Sequence, residues 1–223
     1  MSNLKALVLG LLLLVPIFIF IFITTFGEHH FSLRTYFPVV DDAGEVMYDA
    51  KGDTIFRTVP DFTLTSQQGK AFSQSEDLSD KIYVVDFFFA TCPGICKKMS
   101  SQMTRVQEAY RDNPAIKLVS ITINPEHDSV AVLQNYADKY NADPAKWHFL
   151  TGPREEIYSL ASDGFFLPVV QVPGQQDFIH SEKFMLVDKE NRVRGIYDGT
   201  DYEDVDRLIL EINVLLDEYS KNK

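Results

Sequence analysis

A chain of 223 residues, 45% of them hydrophobic, has enough apolar side chains for one sizeable core, which excludes a disordered chain. Its formal net charge of -11 supplies no basic footprint, which excludes duplex nucleic acid as the main partner. The acidity selects no partner by itself.

The chain opens with an uncharged run from Ala6 to Phe26, 21 residues long. At about 1.5 Å per helical residue this is roughly 31 Å, the thickness of a hydrocarbon core. Pro16 lies inside it, and membrane helices tolerate such a kink. No small-x-small cleavage site follows Thr25, so an uncleaved anchor is expected rather than a signal peptide. Lys5 precedes the run, and the positive-inside bias places the short N-terminus in the cytoplasm and the rest outside. Residues 1–27 are thus expected as a membrane anchor, 28–57 as an extracytoplasmic tether with a short hairpin, and 58–223 as the folded domain.

Val59 to Thr65 alternates apolar and polar residues as a half-buried strand does, and Gln68-Gly69-Lys70 supplies a turn. Ile82 to Phe89 is a β-branched and aromatic run that predicts a buried central strand. Met99, Met103, Val106 and Tyr110 recur at helical spacing, and Asn113-Pro114 ends that helix. Ile116 to Ile123 predicts a strand, residues 124–128 a loop, and about 129–140 a helix. Trp147 to Leu150 predicts a short strand, and Pro153 to Glu156 the first turn of another helix. Phe165 to Gly174 reads as strand and loop. Lys183 to Val187 and Val193 to Tyr197 flank a hairpin turn, and Tyr202 to Tyr219 is an amphipathic helix. This alternation predicts an α/β domain, a central sheet with helices on both faces.

The two cysteines, Cys92 and Cys96, sit where the central strand gives way to a helix. A helix N-terminus favours thiolates, and Lys97 and Lys98 add positive charge. A disulfide closing so short a loop would stabilise weakly, so redox or soft-metal chemistry is expected instead of a staple. Which thiol is the nucleophile stays open. Two sulfurs are too few for a closed zinc site, whereas two thiolates and one imidazole suit a low-coordinate copper ion. His180, just before a strand, is a candidate third ligand; a surface loop histidine is the ordinary alternative. His127 reads as solvated, His148 as packed, and His29 and His30 as flanks of the anchor. Asp128 reads as a helix N-cap, with an electrostatic role near the site as the alternative. Met99 and Met103 read as core.

The segment Val85-Asp86-Phe87-Phe88-Phe89-Ala90-Thr91-Cys92-Pro93-Gly94-Ile95-Cys96, the loop Asn124-Pro125-Glu126-His127-Asp128 and His180 resemble the Sco/SenC family. The resemblance runs from about Val59 to the C-terminus. It implies a membrane-anchored, thioredoxin-like protein, a metallochaperone that delivers copper to the copper-A centre of cytochrome c oxidase. By position, Cys92, Cys96 and His180 match the family's copper ligands, for Cu(I), Cu(II) or both. The partner implied is the oxidase subunit carrying the copper-A site, with other copper chaperones, on the periplasmic side of a bacterial inner membrane. The family often has Asp-Pro-Glu-Arg-Asp where this chain has Asn124 and His127, and frequently has Asp in place of Ile179; Asp128 is kept. A thiol–disulfide oxidoreductase, with Cys92 and Cys96 as a redox-active disulfide, is the alternative function, and a redox or copper sensor is a third.

Overall fold

A computed structural model describes residues 3–26, 32–167, 169–170, 178–179 and 181–221. The chain divides into two compact units, Met1–Ser32 and Leu33–Lys223. The first is a 24-residue helix, α1 (Asn3–Phe26), with Pro16 inside it. Its apolar side chains between Leu11 and Phe22 are exposed all round. Even so, among the described residues no helix is long and apolar enough to cross a membrane, so the expected span Ala6–Phe26 lacks structural support.

The second unit is an α/β fold built on a seven-stranded sheet in the order β2-β1-β5-β4-β3-β8-β9. The strands are β1 (Thr63–Ser66), β2 (Ala71–Ser73), β3 (Ile82–Phe88), β4 (Ile116–Thr122), β5 (Trp147–Thr151), β8 (Lys183–Val187) and β9 (Val193–Asp198). A separate hairpin pairs β6 (Val169–Val170) with β7 (Phe178–Ile179). β3, β4 and β5 are parallel, and the β1/β2 and β8/β9 hairpins close the two sides antiparallel.

β3 is buried at all seven positions, as a strand covered on both faces must be. Ile82, Val84 and Phe88 enter one core cluster, and Tyr83, Val85 and Phe87 enter the other. Two crossovers, β3 to β4 and β4 to β5, run in the same direction across the sheet. They lay α3 (Ile95–Ala109) and α4 (Val130–Lys139) on one face. α6 (Tyr202–Lys221) joins them through Val205, Leu208, Ile212 and Leu215. The opposite face is covered by α5 (Arg154–Ser159), the π-helical turn Leu160–Gly164 and the segment around Val59 and Phe62. The helical cover is therefore present on both faces but heavier on one.

The first strand is later than its alternation suggests: Val59 instead gives its N–H to Asn191 O. β2, the four-residue α2 (Gln74–Asp77) and β7 have no expected counterpart, whereas β6 falls within the strand and loop expected over Phe165 to Gly174. Segments this short hold too few residues to show a period. In the stretch expected as a tether, residues 37–57 run in three short passes bridged at Pro38–Phe56, Val40–Val46 and Tyr48–Thr54. Asp41 and Asp49 close its two turns with their side chains, and Gly44 and Gly52 take the positive φ that each turn needs.

Candidate metal and thiol site

β3 ends at Phe88, and α3 begins at Ile95 after the cap Gly94. Cys92 therefore lies in the turn and Cys96 in the first helical turn. Both are free thiols, 7% and 5% exposed. The Cys96 N–H donates to Cys92 Sγ at 3.3 Å, so an orphan donor of the helix start is spent on that sulfur.

The two thiols differ. Burial pushes the Cys92 thiol up, but hydrogen bonds from the Cys96 side chain and from the N–H groups of Cys96, Gly94 and Ile95 outweigh it, and it ends below its ordinary value. Burial, the Cys92 sulfur beside it and the charge of Asp86 push Cys96 well above its own. Of the two, Cys92 is therefore the thiol that ionises more readily.

The thiols open onto a cleft of about 640 Å³ at the C-terminal end of β3. Phe87, Phe89, Ile95, Ile123 and Leu167 make most of its lining apolar. Ser181, Glu182 and Lys183 also line it. His180 itself lies outside the described residues, as do His29 and His30. Its chain neighbour Ser181 reaches the cleft of the thiols. Among the described residues no group of three metal-binding side chains forms.

Four further groups lie at the turn or beside it. Asp128 is fully buried; its Oδ2 accepts the Ala90 N–H at 2.9 Å and the Thr122 hydroxyl at 2.6 Å, and its Oδ1 faces His127 Nδ1 at 2.9 Å. The cap of α4 is Ser129, not Asp128. Asp128 instead ties β4 to the residue two before Cys92. Asn124 shapes the same loop through its carbonyl, which accepts the His127 and Asp128 N–H groups. Tyr136 of α4 donates to Cys96 O at 3.5 Å and pairs with Ser100 at 2.9 Å. Asp86, buried in β3, accepts from Ser120, whose oxygen takes the Trp147 indole N–H at 2.9 Å. Desolvation pushes Asp86 up to about 7. An aspartate inside an apolar strand run was a visible signal for such a group; nothing in the sequence marked Tyr136.

None of the remaining candidates within the described residues lines the cleft. His127 has a half-exposed side chain. His148 stacks on Phe72 at 4.7 Å, and burial pushes it down to about 4, so it is neutral at ordinary pH. Met99 and Met103 are wholly buried core.

Comparison with known proteins agrees with this geometry. The SCO1 protein homolog of Bacillus subtilis is 30% identical over 162 residues, 72% of this chain and 83% of its own length. The solved structure of BsSco, a member of the Sco family of cytochrome c oxidase assembly proteins in which a disulfide switch was identified, superposes with a TM-score of 0.61. It is 30% identical, across 70% of this chain and 91% of that one. Copper-bound ScoI of Bradyrhizobium japonicum, 22% identical, shares the fold with a TM-score of 0.58 over 71% of this chain and 99% of that one. The SCO1/SenC family description matches residues 51–216. With its thiol pair at the β3–α3 turn of a thioredoxin-like sheet, this chain belongs to the SCO1/SenC family.

Proposed function

We propose that the protein is a copper metallochaperone that holds its cargo between Cys92, Cys96 and His180 and passes it to a cysteine-bearing acceptor. The observation that carries the reading is the shared cleft. Two reduced thiols line it, and so do Ser181 and Glu182, the residues that follow His180 in the chain. The donor chemistry fits a soft ion: Cys92 gives a thiolate readily, and a bound ion would displace the proton that burial holds on Cys96. The acceptor is the oxidase subunit with the copper-A site, in keeping with the oxidase-assembly role of the Sco family to which BsSco belongs.

The run Ala6–Phe26 is taken as a membrane anchor that holds the domain on the extracytoplasmic side. Fractionation of cells expressing the full chain tests the anchor; protein found wholly outside the membrane pellet would remove it.

Copper titration of the reduced protein tests the ligand set. His180→Ala is expected to weaken binding at least about tenfold, the loss of roughly 1.4 kcal/mol of coordination, while the disulfide still forms on oxidation. Unchanged affinity would remove His180 as a ligand. Cys92→Ser and Cys96→Ser should each abolish tight one-to-one binding.

A second reading, a thiol–disulfide oxidoreductase, is favoured by the asymmetry of the thiols. Cys92 would attack a partner disulfide and Cys96 would resolve the mixed disulfide. Metal indifference together with rapid disulfide reduction would select this function over the first.

A further inference from the structure

The start of α3 breaks a rule that three of the four other helices of the compact unit keep; α4 also opens without an acidic residue, but it carries no cation there. Helix N-termini favour carboxylates and disfavour cations. α2, α5 and α6 accordingly open with acidic residues: Glu76 and Asp77, Glu155 and Glu156, and Glu203 and Asp204. α3 has no acidic residue in its first turn. It carries Lys97 and Lys98 there, in a chain with 32 acids against 21 bases. Both lysines are exposed, and among the described residues neither side chain makes an ion pair or a hydrogen bond.

Ile95 is a second anomaly at the same place. It is 46% exposed at the first helical position, and it lines the cleft beside the thiols. Lys98, three residues on, shares its helix face. Elsewhere on the cleft wall Glu182 and Lys183 bring one charge of each sign, and Lys183 faces Asp198 at 3.5 Å. Among the described residues, the further positive charge beside the cleft is that of Lys97 and Lys98, the two residues that follow the cleft-lining Cys96 in the chain. Around this apolar, cationic mouth the body of the molecule is acidic. An anionic partner is repelled by the acidic surface and attracted here, which orients it toward Cys92.

We propose that the cleft mouth docks a cysteine-bearing segment of a partner protein that carries an apolar side chain beside its cysteine and carboxylates on either side. The apolar side chain enters the cleft past Ile95, and the carboxylates meet Lys97 and Lys98. This rests on the reading that the thiols exchange with a partner's cysteine, and it names the chemistry of that partner.

The test uses the full-length reduced protein in non-ionic detergent and two synthetic peptides. Each has one leucine beside one cysteine, and the cysteine is capped as a mixed disulfide with thionitrobenzoate. One peptide is flanked by glutamates, the other by lysines. The Cys92 thiolate attacks the mixed disulfide, its S–S bond breaks, and the coloured thionitrobenzoate thiolate leaves. Cys96 then displaces the peptide, passes its proton to the departing thiolate, and closes the Cys92–Cys96 disulfide.

The glutamate peptide is expected to react about tenfold faster at low salt, with the ratio falling toward one as salt screens the contact. The double variant Lys97→Glu, Lys98→Glu should invert the ratio. Loss of the lysines also changes how readily Cys92 ionises, but that alters both rates alike and cancels from the ratio. Equal rates with both peptides at low salt would overturn the docking proposal and leave thiol exchange standing. A double variant that slows both peptides equally would overturn it too, and would assign the lysines to thiolate stabilisation. A wild-type protein that reacts with neither peptide would overturn the exchange reading and this inference with it.

Discussion

Asp86 carries a carboxylate where its neighbours are Val85 and Phe87, and it is 2% exposed. Its hydrogen bond from Ser120 does not offset desolvation, so it titrates near 7 in the folded protein and near its ordinary value of 3.8 when unfolded. The folded state therefore prefers the proton. The cost of ionising Asp86 is absent below about pH 4, grows as pH rises, and is complete above about pH 7. Asp86→Asn, which mimics the protonated acid, should stabilise the protein by on the order of 2–4 kcal/mol at pH 8 and by almost nothing at pH 4. Urea unfolding at the two pH values measures this; an equal gain at both would show that ionisation is not the cause. Because the Asp86 charge helps to hold the Cys96 thiol high, the same variant should lower the pH at which Cys96 ionises.

At the scale of elements, the active turn is a joint between β3, β4 and α3, and Asp128 is its pin. Asp128→Ala would strand the Ala90 N–H and the Thr122 hydroxyl in a dry place. A loss of about 2–4 kcal/mol follows from two buried groups left without partners. Asp128→Asn keeps an acceptor and should recover most of it, and the reaction of Cys92 with a thiol reagent should follow the same order. If alanine and asparagine behave alike in urea and in thiol reactivity, the pin is not made by these hydrogen bonds.

The joint also shows what a sequence can and cannot reveal. The strand Ile82–Phe89 was legible as an unbroken β-branched and aromatic run, and the helix of Met99, Met103 and Val106 because it keeps one period over several turns. The Cys92–Cys96 spacing was legible for the same local reason. The tie from Asp128 to Ala90 spans 38 residues, and no local pattern encodes it. The cap was misplaced by one residue because Asp128 and Ser129 are both good caps, and only the pull of Ala90 and Thr122 decides between them. The difference between the thiols was illegible too, since it depends on Asp86 and on burial rather than on spacing.

On the scale of the whole molecule, the compact unit places its thiols and its N-terminal connection at opposite ends of the sheet. Val187 of β8 pairs with Tyr83 near the start of β3, while Cys92 follows the end of β3. Seven strand residues separate the two ends by roughly 20 Å. At the far end Arg194, 6% exposed, gathers the chain as it joins the unit. It donates to Leu33 O at 2.6 Å and to Arg34 O at 3.3 Å, and it pairs with Asp188 at 3.0 Å and Glu218 at 2.9 Å. Leu33 enters the core, Tyr36 gives its N–H to Val193 O, and Phe37 stacks on Phe166 at 4.2 Å. Residues 33–50 thus belong to the folded unit although the family match begins at residue 51. A chain shortened to begin at Leu33 should unfold at the same urea midpoint as the full protein. One shortened to begin at residue 51 removes two carbonyl acceptors from a buried guanidinium and one core leucine, and should lose at least about 3 kcal/mol. Arg194→Met in the longer chain separates the two causes. If the guanidinium is the strap, the shortening costs less in that background, because the unpaired buried charge is no longer there to be exposed. An equal cost in both backgrounds would assign the loss to Leu33 and the Phe37–Phe166 contact instead.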